Sequence, residues 1–158
     1  MNVEEFLKSK GVDYILHEHP AVYTCGEAEE YNKNIPGIAA KNLFLRDKKG
    51  TRYFLVVSPA KKQIDLKKFA QLAEVNKVTF ASKETLEGKL GLAAGAVSPF
   101  GLLNDTDKEV ELFIDEEIYN ADIVSFHPNI NTATLELSKD MFRKFLEVIE
   151  RKFKIIGL

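Results

Sequence analysis

Cysteine is nearly absent: Cys25 is the only one in 158 residues. A lone thiol closes no internal disulfide and has no second cysteine with which to build a thiolate metal site, which suits a reducing compartment. Long hydrophobic runs are missing as well. The longest, "YFLVV" and "GLAAGAV", fall well short of the ~20 residues that span a bilayer, and the opening "MNVEEFLKSKG" is charged where a signal peptide is apolar. The expectation is a soluble cytoplasmic protein with no membrane partner. Nor is there an excess of positive charge. A net charge of -2 argues against binding along DNA or any other duplex, where many phosphates must be neutralised.

Common chemical signatures are absent too. The chain has no Walker phosphate loop, no dinucleotide glycine fingerprint and no paired-cysteine zinc spacing, so no cofactor is expected. His17 and His19 have the spacing to share a strand face, but two imidazoles without a third nearby ligand make no metal site. Ser58 or Ser98 could be combined on paper with His127 into a triad, yet neither sits in a nucleophile-elbow pattern.

What is present is a mixed pattern in a chain that is 45% hydrophobic. At this length a chain buries roughly 70% of its unfolded surface, enough for one domain spanning 1–158. Helices are expected over Val3 to Lys10 behind an Asn2 cap, from Thr24 through Tyr31, in "IDLKKFAQLAEV" behind Asp65, in "SKETLEGKLG" behind Ser82, and from Ser138 to about Lys152. Strands are expected in "DYILHEH", "KNLFLRD", "RYFLVVS", "KVTFAS", "VELFIDEEI", "IVSFHPN" and "TATLELS". The "DKKGT" link, with Gly50, marks a hairpin, and "EEIYNAD" reads as a turn or a single helical turn. Elements joined by hairpins more than by crossovers indicate an α+β fold with a curved mixed β-sheet and flanking helices.

Basic residues cluster in "RDKKGTR" and "KKQIDLKKF", which suits either a solvated face or contact with a few phosphates of a structured nucleic acid. Lys41 opens a strand just after Ala39 and Ala40. A lysine there can hold a phosphate as a point charge or can guard an edge strand against aggregation. The stretch "GLAAGAVSPFG", Gly91 to Gly101, contains no acid or base and reads as a turn of small residues.

Taken together, "AAKNLFLRDKKG", "GAVSPFGLLND" and "FHPNINTATL" resemble, in order and spacing, the YbaK/ProX family of aminoacyl-tRNA deacylases, relatives of the editing domain of bacterial prolyl-tRNA synthetases, with the ProX branch the nearest match. The resemblance implies a YbaK/ProRS editing-domain-like fold and a trans-acting hydrolase that clears mischarged proline tRNA without a metal. Alanine is the implied amino acid, with cysteine or another small one as the alternative. A non-catalytic sensor of aminoacyl-tRNA ends, or of a proline-related metabolite, is a reading from another class. The implied partners are the acceptor end of tRNA(Pro) and prolyl-tRNA synthetase.

The resemblance also implies residue roles. Lys41 matches the family lysine, with Asn42 beside it as a substrate contact. Gly95, Ala96, Val97, Ser98 and Pro99 match the family's Gly-x-x-x-Pro loop, whose backbone would hold the carbonyl or the ribose. His127, Asn129 and Asn131 match the strand-end motif, His127 shaping the pocket wall. Many ProX members carry a histidine and a small polar residue shortly before the lysine. This chain has Ile38, Ala39 and Ala40 instead, a less polar rim.

Overall fold

The computed structural model describes residues 2–23, 25–93 and 96–158. Its strands are β1 (Ile15–Glu18), β2 (Ile38–Asp47), β3 (Tyr53–Pro59), β4 (Val78–Phe80), β5 (Val110–Asp115), β6 (Ile123–Phe126), β7 (Ala133–Ser138) and β8 (Phe153–Ile156). The helices are α1 (Val3–Ser9), α2 (Cys25–Asn32), α3 (Leu66–Leu72), α4 (Lys83–Leu90), α5 (Glu116–Tyr119) and α6 (Lys139–Val148), with a 3-10 helix over Pro99–Asn104.

Strand β2 organises the sheet. It pairs antiparallel with β3 from Ala40 to Arg46, parallel with β6 at Ile38 and Ala39, and antiparallel with β4 from Leu45 to Asp47. The resulting order is β1-β7-β6-β2-β3-β5-β8, with β4 on β2. The β2/β3 hairpin follows from local chemistry. Asp47 Oδ1 accepts from the Thr51 and Arg52 main-chain N–H groups at 2.8 and 3.1 Å, and Gly50 takes a φ of 70°, which costs a glycine nothing.

Period-2 alternation splits the core between the faces of β2 and β3. Phe44, Leu55 and Val57 join Leu112 and Ile114 of β5, Phe126 of β6 and Phe142 and Phe145 of α6 in the larger cluster. Leu45, Phe54, Val56 and Phe113 face the other way, onto Phe69 and Ala70 of α3. Phe69 and Phe113 meet edge to face with centroids 5.0 Å apart. Burial on both faces explains why "YFLVV" is continuously apolar where a half-exposed strand would alternate.

The caps fall where the sequence puts them. Asn2, Asp65, Ser82 and Ser138 each accept a first-turn N–H through the side chain. Thr24 lies outside the described residues. "EEIYNAD" supplies α5, one turn capped by Asp115.

Two expectations need correction. The last helix stops at Val148, with Ile149 as its cap, because Glu150 turns into left-handed backbone at φ 52°. The chain then re-enters the sheet as β8, a strand the sequence reading missed, parallel to β5. Hairpins also do not dominate the connections. They join β2 to β3 and β6 to β7, whereas the β2/β6, β3/β5 and β5/β8 ladders are parallel.

The return into β8 is held by a buried ion pair. Arg151 donates through Nη1 to Asp105 Oδ2 at 2.8 Å and to the Val110 carbonyl at 2.7 Å, and through Nη2 to the Asp105 carbonyl at 2.9 Å. The side chains are only 6% and 5% exposed. Asp105 also accepts from the Glu109 and Val110 N–H groups at 3.1 and 2.9 Å, so it ties the end of the 3-10 helix to the start of β5. Among the described residues, no helix is long and apolar enough to cross a membrane.

Gly37 sets the entry to β2. Its φ is +86°, and a Cβ placed there would lie 2.3 Å from the Ile123 carbonyl oxygen, at the point where β2 and β6 come together. Gly37→Ala combines a left-handed alanine with a backbone clash and is expected to cost about 2–3 kcal/mol, read from the urea midpoint. A shift below ~1 kcal/mol, within the ordinary range for a surface substitution, would contradict the close approach.

Candidate active site

Neighbouring residues of a strand point to opposite faces, and this divides the "AKN" motif. Asn42 shares a face with Ala40 and Phe44, toward the larger cluster, and donates through Nδ2 to the Val97 carbonyl at 3.3 Å. Its Oδ1 is buried with no hydrogen-bond partner. Lys41 shares the other face with Leu43 and Leu45 and stands opposite Ser58 in the β2/β3 ladder. The half-buried Lys41 side chain donates to the Lys62 carbonyl. Among the described residues no carboxylate lies within ion-pair distance of its ammonium.

The small-residue loop is built around Ser98. Ala94 and Gly95 lie outside the described residues, so the structure gives no geometry for the proposed Gly95 backbone contact. Beyond them Ala96 and Pro99 are buried and Val97 is half-buried. Ser98 has no exposed surface and caps the 3-10 helix, accepting from the Phe100 N–H at 3.2 Å. Pro99 follows at the first helical position, where a missing N–H costs nothing. The sequence reading missed this helix. Its Ser-Pro opening was the available signal.

Residues 127–132 join β6 to β7. Asn129 takes a φ of 65°, left-handed backbone that asparagine tolerates better than most residues, and its Oδ1 accepts from Ser98 Oγ at 2.6 Å. A hydrogen-bonded path therefore joins the three motifs: Asn42 to the loop at Val97, and Ser98 to the strand-end turn at Asn129. Asn131 is used differently. Its Nδ2 donates to the Val22 carbonyl at 2.9 Å while its own carbonyl accepts from Val22 N–H at 3.1 Å, so it anchors the segment after β1.

His127 Nδ1 lies 3.0 Å from the Ala133 carbonyl, which can only accept, so Nδ1 carries the proton and Nε2 presents a lone pair. His19 packs edge-on against it, with ring centroids 6.1 Å apart, and is itself stacked on Tyr31 at 5.3 Å. Burial pushes the His127 pKa below its ordinary 6.5; the Ala133 carbonyl works against that shift and the nearby His19 adds to it. Because the unfolded chain binds a proton more readily, stability supplied by neutral His127 is complete above pH 6.5 and declines as pH falls toward the depressed folded value. Urea midpoints measured from pH 7.5 to 5 are expected to fall less steeply for His127→Gln than for the wild type. Parallel curves would rule out a buried neutral imidazole.

Two members of the basic clusters are held in ion pairs. Arg52 forks onto Glu111 with both bonds at 2.8 Å, and Lys62 contacts Asp115 and Glu117 at 2.7 Å. His17 pairs with Glu136 at 3.0 Å, and His19 Nε2 lies 2.9 Å from Thr134 Oγ1. A recess of about 230 Å³ abuts the Asn129 turn, lined by Asn2, Val3, Glu4, Pro128 and Ile130. A larger groove of about 790 Å³ along β5 and β8 contains none of the residues singled out by the motifs.

Comparison with known proteins bears on the same segments. The model of the aminoacyl-tRNA editing domain family matches residues 19–145, which include all three motifs. The prolyl-tRNA editing protein ProX of Acetoanaerobium sticklandii is 41% identical over 147 residues, covering 93% of this chain and 90% of the relative. The prolyl-tRNA synthetase associated domain-containing protein 1 of Mus musculus is 33% identical over 149 residues, 92% of this chain and 88% of the relative. A solved structure described as a candidate trans-editing enzyme for prolyl tRNA synthetase has a TM-score of 0.75 at 21% identity, over 99% of this chain and 94% of that one. At that identity the last likeness speaks for the fold.

Proposed function

The chain belongs to the aminoacyl-tRNA editing domain family, and from that premise we propose that it is a trans-acting deacylase that hydrolyses the ester of mischarged proline tRNA. The observation that carries the reading is the hydrogen-bonded path from Asn42 through the Val97–Ser98 loop to Asn129, which draws the three separate motifs into one place. The likeness to ProX along nearly the whole chain supports proline tRNA as the substrate. The acceptor end is delivered in the cytoplasm, alone or by prolyl-tRNA synthetase.

An aminoacyl ester is already activated. The site's task is to position it and to stabilise charge as water attacks the carbonyl carbon. Water adds to that carbon, the bond to the ribose oxygen breaks, and the ribose oxygen leaves with a proton. In this reading Lys41 holds the 3'-terminal phosphate on one face of β2, while the acyl group enters on the Asn42 face, beside the loop of Gly95 to Pro99. His127 forms a wall and accepts through Nε2. No side-chain base is required where the ribose 2'-hydroxyl orients the water.

Size exclusion protects the correctly charged product, because a tight pocket rejects the bulkier prolyl group, whereas an under-filled one costs a smaller ligand only ~1–3 kcal/mol per methylene. Alanine is the proposed amino acid, with cysteine and serine as weaker substrates. The test is release of amino acid from alanyl-, cysteinyl-, seryl- and prolyl-tRNA(Pro). Fastest release from the alanyl ester and sparing of the prolyl ester are expected. Binding without cleavage of any ester faster than in buffer would make the protein a sensor and not an enzyme.

A further inference from the structure

We infer that Lys62 is a positioning residue for Lys41, an inference that rests on the reading of Lys41 as the phosphate contact. The turn after β3 folds back over the start of β2: Ala60 N–H donates to the Ala39 carbonyl at 2.8 Å and Lys62 N–H to the Pro59 carbonyl at 3.0 Å. This brings the Lys62 carbonyl to the Lys41 ammonium. The side chain of Lys62 runs the other way and pins the turn to the end of β5. Its Nζ contacts Asp115 Oδ2 and Glu117 Oε1, each at 2.7 Å, and donates to the Leu158 carbonyl at 3.0 Å. Asp115 has no exposed surface, and its other oxygen is occupied as the α5 cap, accepting from Glu117 N–H at 3.2 Å.

Lys62 thus acts on Lys41 in two ways. A carbonyl is a neutral partner: it narrows the rotamers of a long, flexible side chain and leaves the whole charge for an incoming phosphate. The Lys62 ammonium meanwhile pairs with Asp115 and Glu117, which fixes the turn, and with it that carbonyl, from the β5 side. Binding then finds the ammonium already restrained and, among the described residues, without a carboxylate partner, the arrangement that lowers the ordering cost of recognition.

A double-mutant cycle tests this on the full chain with mischarged tRNA(Pro). Lys62→Met keeps the aliphatic stem and is expected to raise KM about tenfold with kcat little changed, while Lys62→Arg retains most of the wild-type value. The Lys41→Ala/Lys62→Met double variant is expected to be no worse than Lys41→Ala alone, since Lys62 then has nothing to orient. Because Lys62→Met leaves Asp115 buried and unpaired, Asp115→Asn/Lys62→Met repeats the comparison without that charge, all variants being assayed well below their melting temperatures. Additive penalties, or a wild-type KM in both Lys62 variants, would overturn the inference and leave the deacylase reading standing. A wild-type protein that cleaves no ester would remove both.

Discussion

Lys41→Ala is expected to lower kcat/KM for mischarged proline tRNA by about 30- to 100-fold, with most of the loss in KM. A charge-assisted hydrogen bond is worth roughly 1.5–3 kcal/mol, and each 1.4 kcal/mol is a factor of ten. The loss appears in KM because a phosphate away from the reacting carbon is held about equally in the ground and transition states. Stability is expected to change little. The ammonium donates to a main-chain carbonyl and has no carboxylate partner among the described residues, so its removal strands no buried charge. Steady-state deacylation alongside a urea melt separates the outcomes. A Lys41→Ala protein with wild-type kcat/KM would remove Lys41 from the site, and one that fails to fold would make it structural.

Asp105→Ala carries the largest expected effect on stability, about 3–5 kcal/mol, because it leaves the buried Arg151 guanidinium without its counter-charge. The main-chain N–H groups of Glu109 and Val110 lose their acceptor as well, and Arg151 Nε is already without one. Asp105→Asn keeps the side-chain volume and one acceptor oxygen, so its penalty is expected to be smaller. Urea denaturation of the two variants decides the matter: equal, small penalties would mean that Arg151 escapes to water when its partner is lost. Activity of the folded fraction is expected to persist, since Asp105 lies outside the hydrogen-bonded path of the proposed site.

Much of the fold was legible because its determinants are local. Asn2, Asp65, Ser82 and Ser138 announce helix starts by capping chemistry confined to a few residues. The "DKKGT" turn announces its hairpin in the same way. What was not legible depends on distant partners. β8 looked like the tail of a helix until Glu150 turned left-handed and Arg151 found Asp105, a residue 46 positions earlier. Parallel pairing of β3, β5 and β8 likewise leaves no mark in a local window.

The site divides along the same line. Lys41 and Asn42 were marked by their motif, and strand periodicity already required them to point apart. That Asn129 would hold Ser98, that Asn131 would hold Val22, and that Lys62 would present its carbonyl to Lys41 are consequences of chain paths that no spacing encodes. Gly95 was marked by its motif as well, and it lies outside the described residues.

The pairing of β1 with β7 has a consequence for synthesis. His17 and Glu136 face one another across 119 positions of sequence. At ribosomal rates of ~5–20 residues per second, β1 emerges on the order of ten seconds before the strand that completes it. Ile15 and Leu16, still partly exposed in the finished sheet, are more exposed during that interval. Strand β1 therefore waits for β7 while the rest of the sheet is still being made, and variants that slow this pairing would reduce yield in the cell without altering the purified protein.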